Sequence, residues 1–151
     1  MTIWIASTNR ENWEVIKKNN IWGVPKRNKN SIERSEPKDK ILIFVRQENA
    51  GDTILPSAIT AAFDIASKPF EEKTEIFKKP PTMSGEEVFP YRVKLKPVKI
   101  FKEELDFKSL IPNLEFITNK KQWTGHLRTA MRTIPEEDYE YIMKAAETPR
   151  G

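Results

Sequence analysis

Ile41-Leu42-Ile43-Phe44-Val45 is an unbroken apolar row, set between the turn chemistry of Pro37-Lys38-Asp39-Lys40 and the polar pair Arg46-Gln47. Successive side chains on a strand point to opposite faces, so a strand with one wet face alternates apolar and polar residues. A row without alternation predicts a strand buried on both faces, inside a sheet that carries a layer on either side.

The flanking sequence supplies those layers. Thr2 to Ala6 is β-branched and aromatic and predicts a first strand. Thr8-Asn9-Arg10-Glu11 has capping-box spacing and predicts a helix reaching about Asn20, with Trp13, Ile16 and the stem of Lys17 at helical spacing. Ile21-Trp22-Gly23-Val24-Pro25 breaks that helix, and Lys26-Arg27-Asn28-Lys29-Asn30 follows as a basic loop. Beyond the central strand, Asn49-Ala50-Gly51-Asp52 is a turn cluster, and Ser57 to Ala66 reads as a return strand. Val88 to Ile100 reads as another, with Val93 and Leu95 on one face and Arg92, Lys94 and Lys96 on the other. Lys68 to Glu87, broken by Pro69, Pro80-Pro81 and Gly85, predicts a long surface excursion, and such loops are often functional. Asp106 to Leu110 reads as a short helix, Glu115-Phe116-Ile117 as a short strand, and Trp123 to Met131 as a helix that breaks near Thr133. Thr133-Ile134-Pro135-Glu136 repeats the capping-box spacing before the stripe Tyr139, Ile142, Met143 and Ala146. Glu136-Glu137-Asp138 puts acid at the positive end of that helix. The expectation is one α+β domain over 1–147, with a mostly antiparallel sheet and flanking helices, and a frayed tail at 148–151.

Composition narrows the chemistry. The excess of 26 basic over 22 acidic side chains gives +4 and a pI near 9.2, which permits a polyanionic partner without demanding one. Without cysteine there are no disulfides or thiolate metal sites, and His126, the sole histidine, excludes a three-histidine site. No Walker loop or G-x-G-x-x-G fingerprint occurs among the five glycines. No apolar run approaches the roughly 18 residues of a membrane span, and no basic segment opens a secretory signal. These features predict a soluble, cytoplasmic protein without cofactor, metal or membrane contact, and they neither argue for a catalytic role nor exclude one; the expected state is a monomer that binds and does not catalyse. The Lys/Glu-rich, cysteine-free composition also fits a thermophile.

Ile3 to Val24, Ile41 to Gln47, Pro90-Tyr91-Arg92-Val93 and Arg128 to Tyr139 together carry a resemblance to archaeal EVE domains. EVE domains resemble the YTH domains, which read RNA methylated on the adenine amine, and both belong to the PUA-like barrels. The resemblance implies that the sheet is curved into a barrel. It implies a base pocket in which Trp22 stacks the base, Asn12 bonds its ring edge, and Ser7, Thr8 and Asn9 form a short polar turn against it. Gly23 and Pro25 would adjoin the tryptophan, and Phe89 or Tyr91 would form the second wall. A second cage tryptophan is absent there, which leaves modified cytosine open beside modified adenine. Lys26, Arg27, Lys29, Arg46, Arg128 and Arg132 are the candidates for phosphate contact.

The function so implied is a reader of a modified base in single-stranded RNA. Alternatives are a modified-DNA reader of methylcytosine type, a hydrolase acting on nucleosides or nucleotides in the same cleft, and a protein-interaction module using the Lys68 to Glu87 excursion.

Overall fold

The computed structural model describes residues 1–78 and 87–147. In chain order its elements are β1 (Ile3–Thr8), α1 (Arg10–Asn19), β2 (Ile21–Val24), α2 (Lys29–Glu33), β3 (Lys40–Val45), β4 (Glu48–Ala50), β5 (Thr53–Leu55), β6 (Ala58–Ile65), β7 (Phe70–Glu71), β8 (Tyr91–Asp106), α3 (Phe107–Leu110), β9 (Met131–Thr133) and α4 (Glu136–Glu147). Short 3-10 turns occupy Lys26–Asn28, Ile111–Asn113 and Trp123–Leu127. The expected tail at 148–151, and the part of the Lys68 to Glu87 excursion at 79–86, lie outside the described residues.

The strands form a curled half-barrel in the order β2-β8-β6-β3-β1-β9, with β7 also on β8. Among the described pairings only β1 with β3 is parallel. Strand β8 makes the curl, pairing with β2 through Tyr91 to Lys94 and with β6 from Leu95 to Asp106. Its register slips near Pro97, where a residue without an N–H is tolerated at a bulge.

The central apolar row behaves as its pattern requires. Leu42 and Phe44 join Ile3, Ile5, Phe107, Ile117 and Ile142 in one core. Ile41, Ile43 and Val45 join Trp4, Ala6, Trp13, Ile16 and Trp22 in the other, so both faces of β3 are covered.

Several local expectations shift. The N-cap of α1 is Asn9, whose side chain accepts from the Asn12 backbone N–H, so the cap falls one residue after Thr8. The basic loop folds as a 3-10 turn running into α2. Trp123 to Leu127 winds as a 3-10 turn, and Thr133 ends β9 instead of capping α4. Arg92 is fully buried on the side of β8 expected to face water. Glu115-Phe116 is a turn and Ile117 is not in a strand; the buried Asp138 carboxylate takes the backbone N–H of Glu115 at 2.8 Å and of Phe116 at 2.9 Å. Those bonds give a first-turn acid a second role, tying α4 to the preceding loop.

Leaving a buried donor without an acceptor costs about 1–3 kcal/mol. Asp138→Ala should therefore lower stability by about 2–4 kcal/mol in urea titration, given two N–H groups and one of them fully buried. Asp138→Asn, which keeps one acceptor, should fall between it and the parent.

Candidate functional site

The half-barrel does not close: among the described residues β2 and β9 are the sheet's two free ends. Asn28, just past β2, reaches Thr129, just before β9, through a 3.0 Å side-chain hydrogen bond. The end of β1 is tied to the same segment, the Ser7 N–H donating to the Ala130 carbonyl at 2.8 Å. At this seam lies a cavity of about 110 Å³. A water needs roughly 10–15 Å³ on the same measure, so the cavity has room for several waters or one flat ring.

Strand β1 supplies Ser7 and Thr8 to the wall, α1 supplies Asn12, and β2 with its exit supplies Trp22, Gly23 and Pro25. Phe77 and Phe89 complete the aromatic part, their rings edge to face with centroids 5.9 Å apart. Arg27, Arg46 and Arg128 also line it. Two buried polar atoms of these residues, Ser7 Oγ and Trp22 Nε1, have no hydrogen-bond partner.

The aromatic wall is held from behind by Arg92. Its guanidinium donates to the carbonyls of Thr74, Val88 and Phe89 and pairs with Glu72 at 2.9 Å, and it lies 5.4 Å from the Phe77 ring centroid. Phe89 takes a left-handed backbone, φ 51°, which is strained for a residue with a β-carbon. Asn12 clamps the same excursion from the other side. Its amide donates to the Lys78 carbonyl at 2.8 Å and accepts the Lys78 N–H at 2.6 Å, as a neighbouring strand would. One amide N–H and one oxygen lone pair of Asn12 remain uncommitted by those two bonds.

The arginines form an electropositive mouth. None of the ion pairs among the described residues uses Arg27, Arg46 or Arg128. Burial lowers the Arg46 guanidinium below its ordinary range; Glu48 opposes that shift and the like charge of Arg27 adds to it.

The structure thus gathers Ser7, Thr8, Asn12, Trp22, Gly23, Pro25, Phe89, Arg27, Arg46 and Arg128 around one cavity. Other expected residues stand apart. Asn9 is occupied as the α1 cap. Tyr91 lines a separate cleft beside α2, with the Lys29 amine 5.3 Å from its ring and paired to Glu33. Lys26 is exposed and outside the cavity wall. Arg132 lies over Phe116 at 5.0 Å and donates to the His126 carbonyl, and burial lowers its pKa while Asp138 raises it. Phe77 and Arg92 were not expected in the site. Ile76-Phe77, an apolar pair within a charged excursion, was the available signal for the first.

These elements build a small α+β domain, a curled half-barrel with helices outside it and an aromatic cavity at the seam. The chain belongs to the EVE domain family, whose profile matches residues 2–145. A UPF0310 protein of the archaeon Pyrococcus horikoshii is 50% identical over 146 residues, covering 95% of this chain and 98% of the relative. Among solved structures, the human THYN1 protein in complex with 5-methylcytosine-containing DNA superposes with a TM-score of 0.64 at 11% identity, covering 99% of this chain and 100% of that one. The Mmi1 YTH domain superposes at 0.59 and 12% identity, covering 96% and 74%. Those two likenesses speak to the fold. No described helix is long and apolar enough to cross a membrane, and no cluster of potential metal ligands occurs among the described residues.

Gly23 sits where a β-carbon would lie 2.8 Å from both the Phe77 ring and the Phe89 carbonyl, and 3.2 Å from Arg92 Cγ. Overpacking of this kind costs about 1–3 kcal/mol. Gly23→Ala should lower the thermal midpoint accordingly and weaken whatever the cavity binds, because the wall that must move is the aromatic one.

Proposed function

We propose that this protein reads a modified base in single-stranded RNA, taking one everted nucleotide into the cavity at the seam. The observation that carries the reading is the split character of that cavity, with a neutral aromatic interior inside a mouth of three arginines. A nucleotide divides the same way, into a flat aromatic base and an anionic phosphate. Trp22 would stack the base with Phe89 and Phe77 opposite, a contact that strengthens for an electron-poor methylated ring. Ser7 Oγ, Trp22 Nε1 and the spare valences of Asn12 would meet its polar edge, and Thr8, Gly23 and Pro25 would shape the wall. Arg27, Arg46 and Arg128 would hold phosphate, which also offsets the repulsion between Arg27 and Arg46.

Binding rather than catalysis is supported by the chemistry of the lining. Among the described residues it offers aromatic rings, hydroxyls, an amide and guanidinium groups, which suit holding a base and a phosphate, and no carboxylate, histidine or lysine of the kind used in general acid–base catalysis. The hydrolase reading needs such groups in the same cleft. Single-stranded RNA is favoured because its bases enter a pocket without unpairing, whereas duplex DNA must flip one out. A modified-DNA reader of the methylcytosine type is the second reading, and the human THYN1 complex with 5-methylcytosine DNA speaks for it.

The test is calorimetric titration with modified and unmodified nucleosides, then with matched RNA and DNA oligonucleotides. Base stacking on an aromatic side chain is worth about 1–3 kcal/mol, so Trp22→Ala should lose roughly tenfold to hundredfold in affinity. Trp22 is buried, so the variant must first show a folded circular dichroism spectrum, and Trp22→Phe should recover much of the loss. Normal binding by a folded Trp22→Ala would remove the pocket assignment.

The mouth makes a separate claim. Arg27→Gln or Arg128→Gln should weaken all sequences alike and reduce the slope of log affinity against log salt by about 1 each. A loss confined to modified bases, at unchanged slope, would overturn this division of labour.

A further inference from the structure

Arg46 and Arg128 stand between two cavities. Beyond them lies a broader depression of about 540 Å³, also lined by Gln47, Lys108, Trp123 and Thr124. Trp123 opens the 3-10 turn Trp123–Leu127 and is only partly buried. Its ring is fixed by two phenylalanines, tilted 44° against Phe107 at 5.3 Å and edge-on to Phe44 at 6.4 Å. Capping the core beneath is one role for such a residue. That role does not account for the charge around it: Lys108 and the two arginines are the only ionisable side chains on the described wall, and all are cationic. A rigid, partly exposed indole among cations, with Gln47 and Thr124 able to bond a base edge or sugar hydroxyl, has the composition of a stacking platform for single-stranded nucleic acid.

We propose that this depression is a second nucleotide subsite, in which the base next to the everted one stacks on Trp123. The phosphate joining the two nucleotides lies on Arg46 and Arg128, which both cavities share. The ligand is then a strand segment of at least two nucleotides, not a free nucleoside, and the protein binds it with a fixed polarity. This proposal rests on the base-reading assignment of the first cavity.

The probes are the ribo- and deoxyribonucleoside monophosphates of 5-methylcytosine and N6-methyladenine. Each is compared with dinucleotides carrying uridine on the 5′ or the 3′ side, and with the same dinucleotides carrying an abasic flank. Whichever modified monophosphate binds, its dinucleotide should bind about tenfold to hundredfold more tightly with uridine on one side only, and the abasic flank should forfeit that gain. Trp123→Ala should abolish the gain and leave monophosphate affinity unchanged, with Trp123→Phe retaining part of it. The abasic comparison uses the unaltered protein, so it decides the matter even where Trp123→Ala fails to fold. Equal binding of monophosphate, dinucleotide and abasic dinucleotide would overturn the second subsite while leaving the first cavity's role standing. No binding of any probe would overturn both.

Discussion

A guanidinium carries five N–H donors and does not lose its charge near neutral pH, so burying one is tolerable only where acceptors surround it. Arg92 is fully buried and has them: three backbone carbonyls and the Glu72 carboxylate. Those acceptors come from two stretches far apart along the excursion, around Thr74 and around Val88 and Phe89. One side chain on β8 thereby determines where both stretches lie. Phe77 and Phe89 follow, because each is within three residues of an acceptor. Gly23, across from them on β2, has to lack a side chain because the space its β-carbon would need is filled by those residues. Asn12 adds a second clamp at Lys78, placed like a short piece of sheet. The aromatic wall is thus irregular chain made rigid by polar contacts, and a site on such a support can hold its geometry as a loop alone could not.

The position of the cavity follows from the sheet. A closed barrel fills its interior with side chains from every strand, leaving room for little else when small. Here β2 and β9 stay apart, and the space between them is bridged by Asn28 with Thr129 and by Ser7 with Ala130. Backbone and short polar side chains therefore face the gap where a closed barrel would present a ladder. The curl that opens the seam is made by β8, which passes from β2 to β6 through a register slip at Pro97. The same strand supplies Arg92 at one end, so the curvature and the pocket wall have a common source.

The layering was legible because it depends on periodicity. The row Ile41 to Val45 declared a strand covered on both faces, and the structure divides its side chains between two cores. Ten of the expected site residues surround one cavity, an arrangement reached through the family resemblance and not through spacing alone. What stayed hidden depends on contacts distant in sequence. Arg92 sits at an alternating position that reads as solvent-facing, and nothing local announces that residues 72–78 cover it. Asn12 carried the signature of a polar contact, but its partner, the Lys78 backbone, lies 66 positions away. Tyr91 is two residues from Phe89, yet the left-handed turn at Phe89 and the pairing of Tyr91 with Val24 send the two side chains to different clefts. The cap of α1 falls on Asn9 and not Thr8 because Thr8 still pairs with Val45 in β1 and the first helical residue is Arg10.

Some of the molecule's unfavourable features meet at this seam. Phe89 is held in a left-handed backbone, and Ser7 Oγ and Trp22 Nε1 are buried without partners. Strain or an unmet buried polar group costs about 1–3 kcal/mol each, a noticeable share of the roughly 5–15 kcal/mol that stabilises a domain. Buried atoms without a partner also occur away from the cavity, at Arg10 Nε, Ser57 Oγ and Thr60 Oγ1, while other donors are fully met: Asp39 gathers the N–H donors of Thr2, Trp4 and Glu36, and Asp138 those of Glu115 and Phe116. A nucleotide in the cavity, as proposed above, would offer polar base edges to the two orphaned atoms and an anion to the arginines. On that reading any cost that the ligand relieves at the seam would return as binding free energy, so affinity and local stability would be linked there.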